Sequence, residues 1–230
     1  MKNTACLILV YALLLIGWQP VRAEEPNIMV VGDSLSTGYG IDANKGWVTL
    51  LQQRLRSNGF PHQVINASVS GDTSRGGLAR LPAALERHQP AIVILELGGN
   101  DGLRGLSLKS LEDNLAAMIE FSRAAGAQVV LAEMRIPPNY GPVYTKKFQT
   151  LYTELAQRYA IPLIPFLLEG VAGNEGLMQN DGIHPVAEAQ PRILDNVWPT
   201  LESLLNEMPN QQTAAANCSR LNAQSGLCFQ

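Results

Sequence analysis

Ser34 directly follows a glycine and an aspartate in Gly32-Asp33-Ser34-Leu35-Ser36, at the end of an apolar run. A serine so placed, ahead of a helix-forming stretch, presents its hydroxyl and N–H where a strand gives way to a helix start, a setting that favours anions. As a lone residue it reads equally as an N-cap or turn serine. To act as a nucleophile it needs a base, and the chain holds three histidines: His62, His88 and His184. His62 opens a strand-like run and His88 ends a charged stretch, so both are expected to be solvated. His184 lies three residues after Asp181 in Asp181-Gly182-Ile183-His184-Pro185. A carboxylate that close can hold the Nδ1 hydrogen and leave Nε2 free for a serine proton. The same pair can also ligate a metal, though no further His or Cys cluster supports one.

Acyl transfer also needs donors for the developing oxyanion. Gly71, in Ser68-Val69-Ser70-Gly71-Asp72, has no side chain to keep a substrate from its N–H. Asn100, in Gly98-Gly99-Asn100-Asp101, carries a side-chain amide after two glycines. With the Ser34 N–H these make a three-donor set. Asp33, Asp72 and Asp101 flank the three blocks and are read as loop-holding residues.

Positioning these groups requires a scaffold, and the apolar pattern supplies one. Strand-length runs are expected at Asn27–Gly32, His62–Ser68, Ala91–Gly98, Ala127–Met134 and Ile161–Phe166. Helical periodicity occupies Gly46–Asn58, Thr73–His88, Leu108–Ala125, Val143–Ala160 and, after a break at Pro191, Ile193–Glu207. Strands alternating with helices predict an α/β three-layer sandwich around a five-stranded parallel sheet. Ala91–Gly98 is apolar almost throughout, as a strand covered on both faces should be. In such sheets ligands sit beyond the carboxyl ends of the strands, where all four polar blocks fall.

The remaining composition narrows the setting. At 230 residues the chain suits one cored domain. A net charge of -3, without a basic block, argues against a nucleic-acid partner. Lys2, the apolar run Cys6–Gly17 and Val21-Arg22-Ala23 read as a signal peptide over 1–23, the alternative being a short membrane anchor. The domain then spans 24–207, with a polar tail over 208–230. Cys218 and Cys228, both in that tail, can form a small-loop disulfide after export, and no cysteine is left for the catalytic region. The glycines of GDSLSTGYG also admit a flavodoxin-like phosphate or flavin module, although neither GxxxxGK[ST] nor GxGxxG is present. Ser36 stands where the α/β-hydrolase elbow needs glycine, which argues against that fold.

The blocks GDSLS, SVSGDTS, GGND and DGIHP, in this order, resemble those of the SGNH (GDSL) hydrolase family. The similarity continues through INASVSGDTSRGGLARLP, LELGGNDGLRGL and RIPPNYG, and so covers about Asn27 to Glu207. It is strongest toward the family's exported bacterial enzymes with arylesterase, lysophospholipase and thioesterase activities. The resemblance implies a flavodoxin-like fold and a Ser34, Asp181, His184 triad. It implies an oxyanion hole of Ser34, Gly71 and Asn100, no cofactor and no metal. The enzyme would be a periplasmic or secreted monomer acting on a small-molecule acyl ester or thioester, without stable membrane insertion. A carbohydrate or peptidoglycan O-acetylesterase would use the same residues. Leu103 and Leu106, with Ile136 and Pro138, are expected to line the acyl pocket from two loops.

Overall fold

The computed structural model describes residues 25–208, so the expected leader over 1–23, the expected Cys218–Cys228 disulfide and all but the first residue of the tail lie outside the described residues. Five parallel strands form one sheet: β1 (Asn27–Gly32), β2 (Gln63–Asn66), β3 (Ile92–Glu96), β4 (Gln128–Ala132) and β5 (Leu163–Ile164), in the order β2-β1-β3-β4-β5. The chain builds outward from β1 in one direction, then crosses it and builds in the other. The order therefore reverses between β1 and β3, which opens a crevice at their carboxyl ends. Ser34 and Asn100 follow those two strands directly.

Helices cover both faces. On one face α2 (Trp47–Ser57) packs against the last helix, α7 (Gln190–Glu207). On the other, α3 (Ser74–His88), α5 (Leu108–Ala124) and α6 (Pro142–Tyr159) lie side by side. Ile28–Val31 and Ile92–Leu95 are fully buried between these layers, which explains why both strands are apolar without alternation. Each helix turns its apolar face to the sheet: Leu51 and Leu55 from α2, Leu111, Leu115 and Ile119 from α5, and Phe148, Leu151 and Leu155 from α6.

The element boundaries depart from the sequence pattern at informative places. The expected strand Ile161–Phe166 shrinks to two residues, because Pro162 and Pro165 bring no N–H to the ladder and tolerate only a short edge strand. Pro191 does not break the last helix. It occupies the first turn, where no N–H is needed, and the helix starts at Gln190. Two short helices at the carboxyl edge escaped the periodicity altogether: α1 (Ser34–Thr37) and α4 (Gly99–Leu103). Both are too short to show a 3.6-residue pattern, and they carry Ser34 and Asn100.

Candidate active site

Asp33 begins the site. Its Oδ1 accepts the Leu35 N–H at 3.0 Å and so caps α1. Ser34 is the first residue of that helix, and its N–H has no acceptor among the described residues. Leu35's amide, by contrast, is already taken, which leaves this turn little of the cradle that a bound phosphate would use.

His184 Nε2 stands 2.9 Å from Ser34 Oγ, and His184 Nδ1 stands 2.7 Å from Asp181 Oδ2. The backbone folds to allow this spacing. Gly182 takes φ +68 and its N–H bonds Gln179 O, turning the chain so that Asp181 and His184 face one another. Asp181 Oδ1 accepts the N–H groups of Ile183 and His184 at 2.9 and 3.0 Å. The ring hydrogen bond first, then these two amides, hold the Asp181 carboxyl down at about 2. The turn is braced from outside. Gln179 Nε2 donates to Tyr39 O and Pro185 O, and the Tyr39 ring lies 4.5 Å from the His184 ring.

The other side of the crevice holds the candidate donors. Asn100 Nδ2 donates to Asp33 Oδ2 at 3.0 Å, which engages one amide hydrogen and fixes the plane of the group. Asp33 therefore joins the Ser34 turn to the Asn100 loop, more than the loop-holding expected of it. It is 2 % exposed, and burial pushes its carboxyl up to about 6 against the pull of the Leu35 and Asn100 hydrogen bonds. Gly71 sits at φ +76 with its N–H free of any acceptor among the described residues. Its carbonyl accepts Arg104 Nη2 at 2.9 Å, which ties the Gly71 turn to the helix bearing Asn100.

Asp72 and Asp101 hold loops as expected. Asp101 accepts Ser74 N–H and Ser74 Oγ at 2.8 and 2.6 Å, anchoring the start of α3. Asp72 pairs with Arg80 Nε at 2.7 Å, and Arg80 also donates to the carbonyls of Ala67 and Gly32. Arg80 thus stitches together the turns that follow β1 and β2. Sequence reasoning missed it, together with Arg104, Gln179 and Tyr39. Apart from the Arg80–Asp72 pair, their partners are backbone carbonyls or an aromatic face, and these leave no spacing signature.

The other two histidines lie away from this edge. His88 ends α3, half-buried, with its carbonyl accepting from Asn27 Nδ2. His62 corrects the expectation of a solvated ring: it is 8 % exposed beside Phe60, and burial lowers its pKa.

Of the four residues expected at an acyl pocket, Leu106 and Pro138 are exposed and Leu103 is half-buried. Ile136 is buried, packed so closely on Gly102 that a Cβ there would meet it at 2.4 Å. The two loops are bolted to each other: Tyr140 Oη donates to Leu103 O at 2.7 Å and Tyr144 Oη to Leu106 O at 3.0 Å. Next to them a cleft of about 470 Å³ is lined by Leu108, Tyr140, Gly141, Pro142, Val143, Tyr144 and Lys147. None of the four expected residues lines it, although Tyr140 and Gly141 belong to the expected second loop. A cleft of about 430 Å³ at the amino ends of the strands, near Asn27 and His88, is remote from Ser34.

Comparison with known proteins places this geometry. Residues 30–191 match the model of the GDSL-like Lipase/Acylhydrolase family. The chain is 54 % identical over 184 residues to the esterase TesA of Pseudomonas aeruginosa, covering 80 % of this chain and 92 % of that protein. It is 44 % identical over 184 residues to the thioesterase 1/protease 1/lysophospholipase L1 of Escherichia coli, covering 80 % and 87 %. A crystal structure of TesA superposes with a TM-score of 0.76 at 54 % identity, covering 77 % of this chain and 99 % of that one.

Proposed function

This chain belongs to the GDSL-like lipase/acylhydrolase family, the SGNH hydrolases, and on that footing we propose that it is an exported serine esterase cleaving acyl esters and thioesters. The observation that carries the reading is the unbroken relay Asp181–His184–Ser34, at 2.7 and 2.9 Å. His184 Nε2 takes the Ser34 proton as Oγ attacks the acyl carbonyl. The carbonyl oxygen, now an anion, meets the Ser34 N–H, the Gly71 N–H and the second amide hydrogen of Asn100. Collapse of the tetrahedral adduct expels the alcohol or thiol, which leaves with the proton from His184. Water, deprotonated by the same ring, then frees the acid and restores Ser34. Asp181 stays ionised throughout and holds the tautomer that keeps Nε2 free to accept.

The acyl chain is assigned to the side bounded by α4 and the start of α6. Leu106, Tyr140 and Val143 expose apolar surface there, beside the cleft. Such surface favours fatty acyl chains over acetyl groups, and so a lipid or aryl ester over an O-acetylated glycan. Export rests on the 1–23 pattern. Among the described residues no helix is long and apolar enough to cross a membrane. The enzyme is read as a monomer needing no cofactor or metal.

Ser34→Ala decides the mechanism. It should abolish turnover of p-nitrophenyl esters and labelling by a fluorophosphonate, with the thermal melt unchanged. Near-native turnover would sink the assignment. A chain-length series on the native enzyme then separates substrates: rates rising from acetate to medium-chain esters are expected, and a sharp optimum at acetate would favour the O-acetylesterase.

A further inference from the structure

The last residue of β3 is a carboxylate that the proposed reaction does not use. Glu96 lies in register beside Gly32, directly under the turn that carries Ser34, and is 0 % exposed. Its Oε2 accepts Ser36 Oγ at 2.6 Å and the Asp33 N–H at 3.2 Å, while Oε1 is buried with no partner among the described residues. Gly32 is fitted to it. A Cβ on Gly32 would fall 2.4 Å from Glu96 Oε2 and 2.7 Å from Ser36 Oγ. The glycine before Asp33-Ser34 is therefore required by the carboxyl packed on it.

A carboxylate in this place is strongly disfavoured as an anion. The acidic groups around it reinforce that. Asp33 faces it from the loop after β1, backed by Asp72 with its partner Arg80 from α3. Tyr152 of α6 lies within range of Glu96 and Asp33, with Asp101 and Glu133 also near it, and of this pair His184 acts on Asp33. Burial first, then the Asp33 charge, hold the Glu96 carboxyl well above the usual range. In this place it serves to accept two hydrogen bonds.

Those two bonds bracket the nucleophile. One anchors the residue before Ser34, the other a side chain two residues after it. We propose that Glu96 is a positioning residue for the hydrolysis, clamping Asp33 N–H and Ser36 Oγ so that the Ser34 hydroxyl and N–H are held against His184 and the oxyanion. This rests on Ser34 being the nucleophile. Neither Glu96 nor Ser36 lines the acyl cleft, so loss of the clamp should lower kcat and spare KM.

The test compares Glu96→Gln, Glu96→Ala and Ser36→Ala in the full chain, with kcat and KM on a p-nitrophenyl ester beside a thermal melt. Glutamine accepts the same two bonds without charge and should stay within about three-fold of native kcat, whereas Glu96→Ala and Ser36→Ala should lose about ten-fold or more at nearly constant KM. Glu96→Ala that folds and keeps native kcat overturns the proposal. So does Glu96→Gln as impaired as Glu96→Ala, since accepting the two hydrogen bonds would then not be enough. Should Glu96→Ala fail to fold, Ser36→Ala decides alone: the kcat loss supports the clamp and native kcat refutes it. Ser34→Ala, measured alongside, separates the two readings. If it is inactive while Glu96→Ala is native, only the clamp fails; if it is active, the nucleophile fails and the clamp with it.

Discussion

Replacing Asp33 by asparagine should remove a loss of stability that the native protein suffers as pH rises, and make the protein far less active. The carboxylate accepts on both oxygens, from Leu35 N–H on Oδ1 and from Asn100 Nδ2 on Oδ2. An asparagine can keep only one of these. With its oxygen retained on Leu35, it would point an NH2 at the NH2 of Asn100, and the Asn100 amide must turn away. One oxyanion donor is then lost, an effect of about two to three orders of magnitude in kcat. Stability moves the other way. The Asp33 carboxyl is raised from an ordinary 3.8 to about 6. Stability linked to a raised pKa is fully present below the unfolded value and is lost as pH climbs through the folded one. About two pKa units correspond to ~3 kcal/mol. Asparagine does not titrate, so the variant's stability relative to the native chain should rise by about that amount between pH 4 and pH 8. Urea melts at the two pH values, beside kcat on a p-nitrophenyl ester, measure both arms. Asn100→Ala sets the floor for kcat, and the double variant should be no worse than Asn100→Ala, because both changes disable one donor. Native kcat in Asp33→Asn would show that Asp33 does not orient Asn100. A relative stability that falls with pH would show that burial does not govern this carboxyl.

Three further outcomes are expected. Gly32→Ala drives a methyl group into Glu96 and Ser36, and should lower the unfolding free energy by about 1–3 kcal/mol, read as a lower urea midpoint at constant m-value. Asp181→Asn should reduce kcat less than Ser34→Ala does, since the remaining pair keeps part of the catalysis. The Asp181 carboxyl is held down at about 2, so its stabilising contribution is present above the ordinary 3.8 and lost as pH falls through the lower value, and no loss of native activity above pH 4 should come from its protonation. Tyr140→Phe breaks the 2.7 Å bond to Leu103 O, and should raise KM for medium-chain esters while leaving acetate kinetics unchanged. A KM rise equal for all chain lengths would remove these loops from the acyl side.

Residue types and order along the chain were enough to single out the proposed reacting groups. Ser34, Asp181 and His184 need particular chemistry, and the Asp-x-x-His turn is short enough for its geometry to be local. The parallel sheet was also legible, because strands buried on both faces are written as unbroken apolar runs and their polar ends mark the carboxyl edge. What tertiary structure decided was the support. Glu96 was visible only as one charge in the apolar run Ala91–Gly98, and its partners lie 60 and 63 residues away. Arg80 and Arg104 grip backbone carbonyls, which every residue possesses, so no sequence pattern points to them. The edge strand shortened and Pro191 moved inside its helix because pairing and helix-end geometry, not propensity, set those limits. Local chemistry is encoded in neighbouring letters. The rigidity that the proposed catalysis needs comes from contacts between distant ones, and these exist only once the strands have taken their order.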